Sequence, residues 1–128
     1  METNRLIKSF NHFAIEVKDL DRSIQFYREI LKFEMLPRPA FNFAGAWFDI
    51  GLGQQIHLIE NKTLKITFAG SRALHFAFAV DNLEVMKIYL LEKGVEIAKD
   101  IKKRPDGVLQ MFVKDPDGYF LEFTELIA

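Results

Sequence analysis

His12, His57, His75 and Glu122 are the residues of this chain whose types and spacing point to shared chemistry. Two of the three histidines open copies of one motif. His12-Phe13-Ala14-Ile15-Glu16-Val17-Lys18-Asp19-Leu20 returns 63 residues later as His75-Phe76-Ala77-Phe78-Ala79-Val80-Asp81-Asn82-Leu83, with five of nine positions identical. His57 lies in the apolar run Gln55-Ile56-His57-Leu58-Ile59-Glu60. The matching run of the second copy, Gly118-Tyr119-Phe120-Leu121-Glu122-Phe123-Thr124, carries Glu122 at its midpoint. Three imidazoles and one carboxylate form an N3O donor set suited to a divalent first-row metal such as zinc, nickel, cobalt, manganese or iron. Four such residues at equivalent places of a duplicated unit predict one metal ion, held by two halves that each supply two ligands.

These side chains need strands to present them. In the first copy Phe13, Ile15 and Val17 alternate with His12, Ala14 and Glu16; in the second Leu74, Phe76, Phe78 and Val80 alternate with His75, Ala77 and Ala79. The bulky face is expected to pack under a helix, while the His/Ala face leaves room for a ligand. Asp19 or Asp21 can cap a helix over Arg22 to Leu31, with Ile24, Tyr27, Ile30 and Leu31 inward. Asp81 or Asn82 can cap a second over Leu83 to Lys93, with Val85, Ile88, Leu91 and Tyr89 inward and Gly94 ending it. Three short strands follow in each half: 33–37, 45–50 and 55–60, then 95–100, 108–113 and 119–125. Gly51-Leu52-Gly53 and Asp115-Pro116-Asp117-Gly118 are turns. Both halves read βαβββ, an α+β class, and Asn61 to Arg72 is a connector.

Composition bounds the function. A chain of 128 residues with 49% apolar and 27% charged residues is the size and makeup of one ordinary globular domain. A net charge of −1 gives no basic surface to follow a phosphate backbone, so nucleic acid is not an expected partner. The absence of cysteine excludes disulfides, thiolate ligands and a thiol nucleophile. No run approaches the roughly 20 apolar residues of a membrane span, and residues 1–8 lack the apolar core of a signal peptide, so a cytoplasmic location is expected. Thirteen phenylalanines are more than a core of this size normally uses, so some are expected to line a pocket.

With these motifs in place, the sequence resembles the vicinal oxygen chelate superfamily, which includes glyoxalase I, methylmalonyl-CoA epimerase, extradiol dioxygenases, fosfomycin-resistance enzymes and bleomycin-binding proteins. The resemblance runs from Phe10 to Leu126. It is carried by Asn11-His12-Phe13-Ala14-Ile15-Glu16-Val17 with Asp19-Leu20-Asp21-Arg22-Ser23-Ile24-Gln25-Phe26-Tyr27, by His75-Phe76-Ala77-Phe78, and by Asp115-Pro116-Asp117-Gly118-Tyr119-Phe120-Leu121-Glu122. It implies a single domain over residues 1–128 built of two tandem βαβββ modules, one at about 7–60 and one at about 73–126, joined by 61–72. It also implies curled mixed sheets that enclose a metal bound by His12, His57, His75 and Glu122, and a homodimer.

Among the members, a four-ligand site is most similar to glyoxalase I and the epimerase, whose chemistry is proton transfer beside a carbonyl. The resemblance casts Glu122, the one carboxylate of the set, as base as well as ligand. Ring-cleaving dioxygenases resemble a three-ligand pattern and need further histidines as acid and base, which this chain lacks. The expectation is a metal-dependent lyase or isomerase acting on a small 2-oxo or 2-hydroxy carbonyl compound through a chelated enolate. The alternatives are a non-catalytic, resistance-type binder or an extradiol-type dioxygenase. For the substrate pocket the sequence offers Arg38, Phe41, Phe43 and Trp47 from the first half and Arg104 and Met111 from the second: arginines for a carboxylate or phosphate, apolar side chains for the body.

Overall fold

The duplicated motif folds as a duplicated strand, and the order of strands and helix that follows it is duplicated too. The structure, a computed structural model, describes residues 5–66 and 72–126. The chain divides into two compact units, 1–64 and 65–128. The first unit runs β1 (His12–Val17), α1 (Leu20–Ile24), β2 (Glu34–Leu36), β3 (Gly45–Gly51) and β4 (Gln54–Glu60). The second runs β5 (His75–Ala79), α2 (Leu83–Glu92), β6 (Ile97–Lys103), β7 (Leu109–Lys114) and β8 (Phe120–Glu125). Each is βαβββ. The strand orders are β1-β4-β3-β2 and β5-β8-β7-β6. In both, the first and last strands lie side by side and parallel while the other pairs are antiparallel.

Both helices start by the same device. Asp19 Oδ1 accepts from the Arg22 amide at 3.2 Å, and Asn82 Oδ1 from the Val85 amide at 3.1 Å. A glutamate at the end of the last strand accepts the first free helical amide: Glu60 Oε2 from Leu20 at 3.0 Å, Glu125 Oε1 from Leu83 at 2.8 Å. A carboxylate there also complements the positive end of the helix dipole. After Ile24 the first helix widens to a π-helical segment over Gln25–Ile30, with the Leu31 amide donating to the Phe26 carbonyl at 3.0 Å.

The core of the first unit holds Ile15, Val17, Tyr27, Phe48, Ile56 and Leu58; that of the second holds Leu83, Leu90, Met111, Val113, Leu121 and Phe123. The inward face of α2 differs from the expected one. Leu83 and Leu90 are fully buried, whereas Val85, Ile88 and Leu91 are 61%, 56% and 52% exposed. Leu83-Glu84-Val85-Met86-Lys87-Ile88-Tyr89-Leu90-Leu91 is apolar on more than one helical stripe, so periodicity alone could not choose between them. Leu74, expected on the packed face of its strand, is 56% exposed just before β5 begins. The Asp115–Gly118 turn forms as expected: Asp115 Oδ1 accepts from the Asp117 and Tyr119 amides, and Gly118 takes a positive φ of 96°.

Candidate active site: two clusters at one register

In the first unit, β1 and β4 pair with Ala14 opposite His57 and His12 opposite Gln55. The small Ala14 leaves space over the sheet, and the two imidazoles lie diagonally across it, stacked with ring centres 4.0 Å apart at 17°. Across the antiparallel pair β3/β4, Trp47 stands opposite His57 and lies flat on it, 4.1 Å away at 7°. Amide oxygens hold both histidines: Asn11 Oδ1 is 2.7 Å from His12 Nδ1, and Gln55 Oε1 is 2.8 Å from His57 Nε2. An amide oxygen only accepts, so each bond calls for a proton on the ring nitrogen it engages. Burial holds His57 below the usual imidazole pKa, helped by the neighbouring His12 and the charge of Arg38.

The second unit repeats the register with different chemistry. Ala77 stands opposite Glu122 on β5/β8, as Ala14 stands opposite His57. His75 Nε2 is 3.0 Å from Glu122 Oε1, and Thr124 donates its hydroxyl to Glu122 Oε2 at 2.7 Å. Both carboxylate oxygens are therefore held, and Glu122 is only 5% exposed. Phe112 occupies the place of Trp47, opposite Glu122, and meets the His75 ring edge-on at 5.5 Å. His75 Nδ1 is buried without a hydrogen-bond partner.

The expected pocket residues separate into three groups. Arg38, Phe41, Phe43 and Trp47 line a cavity of about 470 Å³ together with His12 and His57. Arg104 borders a second cavity of about 430 Å³ beside His75 and Glu122, but Asp106 grips its guanidinium with two contacts, Nε–Oδ1 at 3.0 Å and Nη2–Oδ2 at 2.6 Å. That grip pulls the Asp106 carboxyl down to about 2. Met111 corrects the sequence reading: it is fully buried in the core between Gln110 and Phe112, and it is these two neighbours that border the cavity. Lys99 and Lys102, which sequence reasoning passed over, line this cavity as well. Three residues apart, they could not share a face of a regular strand. Irregular pairing of β6 on both sides of Lys99 breaks the alternation.

The donor set fits a divalent metal by its chemistry. An oxygen acceptor on one ring nitrogen, as Asn11 and Gln55 provide, is the usual outer support of metal-binding histidines. The His75–Glu122 separation of 3.0 Å is close to that of two ligands sharing one ion at bonds of about 2.1 Å. Among the described residues no three His, Asp or Glu side chains gather in one place; each pair stands within its own unit.

Comparison with known proteins agrees with this architecture. Glyoxylase I 4 of Arabidopsis thaliana is 31% identical over 122 residues, which cover 91% of this chain and 70% of the plant protein. The lactoylglutathione lyase of Haemophilus influenzae is 29% identical over 121 residues, 89% of this chain and 90% of its own length. The crystal structure of a glyoxalase family protein from Enterococcus faecalis superposes with a TM-score of 0.80 at 27% identity, covering 94% of this chain and all of that one. A family model described as the Glyoxalase/Bleomycin resistance protein/Dioxygenase superfamily matches residues 9–123, and the chain belongs to that superfamily.

Proposed function

We propose that the chain is a metal-dependent lyase or isomerase of the glyoxalase I type, acting on a small 2-oxo or 2-hydroxy carbonyl compound. The observation that carries this reading is the buried Glu122, held at one oxygen by His75 and at the other by Thr124. A carboxylate fixed in this way is oriented to take a proton from carbon and return it at a neighbouring position. His12, His57, His75 and Glu122 would hold the metal, which would supply Lewis-acid stabilisation of the negative charge that develops on the carbonyl oxygen. Glu122 carries the proton, and the Thr124 hydroxyl steadies its Oε2. All three histidines belong to the ligand set. None remains as acid and base for ring cleavage, which favours a lyase or isomerase over a dioxygenase.

Elemental analysis of the protein purified without added metal tests the reading. The expected result is one divalent ion per pair of units, lost in His12→Ala and in His75→Ala while far-UV circular dichroism is unchanged. A screen of 2-oxoaldehydes with and without thiols then seeks the substrate. Full metal retention by both variants would remove the ligand assignment, and a metal-free, stably folded parent would favour the binding-protein reading.

A further inference from the structure

The cavity of the first unit contains an arginine positioned with more care than a surface residue needs. The Arg38 guanidinium lies 4.9 Å from the ring centres of both Phe41 and Phe43. Those rings stack on each other at 5.1 Å and 19°. Arg38 Nη2 donates to the Phe43 carbonyl at 3.0 Å, so the cation also pins the loop that carries the two rings. Gly45 makes this position available: a Cβ there would stand 2.9 Å from Nη2 and 3.1 Å from the guanidinium carbon, besides striking the Leu58 carbonyl. Nε is buried and has no hydrogen-bond partner. Among the described residues no carboxylate pairs with Arg38.

A fixed guanidinium with unused donors and no counter-charge is arranged for an anion from outside the chain. The other surfaces of the cavity are flat: Trp47 lies parallel to His57, and Phe41 is 6.1 Å from Trp47. Phe41 and Phe43 remain 46% and 43% exposed, apolar area left open beside a cation. Flat aromatic faces favour a flat partner, because ring-on-ring contact adds to area burial. A cavity of about 470 Å³ is in the range of small-molecule sites.

We infer that the first unit holds a subsite for an aromatic carboxylate, its ring against Trp47 and Phe41 and its carboxylate on Arg38. This deepens the functional reading by naming a substrate class. It is nonetheless tested without metal and without turnover, so the two readings can fail separately.

Trp47 is the chain's one tryptophan, so its emission reports on this cavity alone. EDTA-treated full-length protein is titrated with phenylacetate, phenylacetamide and cyclohexylacetate, excited at a wavelength where none of them absorbs, with calorimetry in parallel. Phenylacetate is expected to saturate and to change Trp47 emission, with the amide and the saturated acid each at least about tenfold weaker. Arg38→Gln should abolish the preference for acid over amide, and Arg38→Lys should restore part of it. Gly45→Ala, which displaces the guanidinium, should weaken phenylacetate similarly, with circular dichroism verifying that each variant is folded. Equal affinity for acid and amide, equal affinity for the aromatic and saturated acids, or no binding of any of the three would overturn the inference.

Discussion

The two units share a register but not a chemistry. Trp47 and Phe112 occupy one place, His57 and Glu122 another, each opposite an alanine two residues beyond the leading histidine. Around that common frame the first unit builds an aromatic pocket in which burial lowers the His57 pKa and Arg38 has no carboxylate partner among the described residues. The second builds a polar one. Its carboxylate is held at both oxygens, Lys99 and Lys102 stand close by, and its arginine is neutralised by Asp106. Duplication therefore conserved where side chains stand and left open what they do. One half presents flat aromatic faces beside a cation and the other a carboxylate among polar side chains.

The sharpest way to break this division is to exchange chemistry at the equivalent positions. Glu122→Gln keeps an oxygen donor but removes the base. Metal content should persist while catalysis falls by about 10²–10⁴-fold, the usual worth of general base help. Proton exchange beside a carbonyl, followed by NMR in heavy water, measures it. His57→Ala should do the opposite at the matching place, weakening metal affinity by roughly tenfold or more and altering Trp47 emission through loss of the stack. If the Gln variant exchanged protons as fast as the parent, the base would lie elsewhere. If His57→Ala left metal affinity unchanged, His57 would belong to the aromatic wall and not to the ligand set.

The cores should behave alike where the sites do not. Ile56 and Leu121 hold matching positions on the last strands, opposite Phe13 and Phe76, and both are fully buried. Ile56→Ala and Leu121→Ala should each destabilise by about 2–5 kcal/mol in denaturant unfolding. Ile88→Ala, on the exposed stripe of α2, should stay within about 0.5 kcal/mol of the parent. A large loss at Ile88 would mean that this stripe is covered in solution.

The frame was legible in the sequence because it is written twice. The repeat led by histidine, the Asp and Asn caps and the Asp115–Gly118 turn are local signals, and strand alternation set His12 and His75 on the faces where the structure has them. What stayed hidden depended on side-chain contacts and strand irregularities that residue type does not announce. Arg38 and Arg104 look equivalent as residue types, yet one meets two phenylalanine rings and the other an aspartate two residues away. Lys99 and Lys102 were masked by bulges that no residue pattern announces. Met111 has the apolar type that suits a pocket but sits in the core, because alternation on β7 turns Gln110 and Phe112 the other way.

The smallest expected effect lies in the pair that makes the second unit's arginine unlike the first's. The folded chain holds Asp106 at about pKa 2, below the ordinary carboxylate value near 3.9. A depressed carboxyl contributes stability above its unfolded pKa, so this contribution is present above about pH 4 and fades as pH falls from about 4 to about 2. Both side chains are about half exposed, which screens the attraction and keeps the effect slight. Asp106→Asn should lower the melting temperature only a little at pH 7 in low salt, with the gap closing in 1 M salt and again as pH approaches 2. A gap that stayed constant across that window would show that the charge of Asp106 is not what stabilises the fold. The same variant frees Arg104, so it should also make the second unit's cavity more attractive to inorganic phosphate, bringing it nearer to the unbalanced charge that Arg38 gives the first.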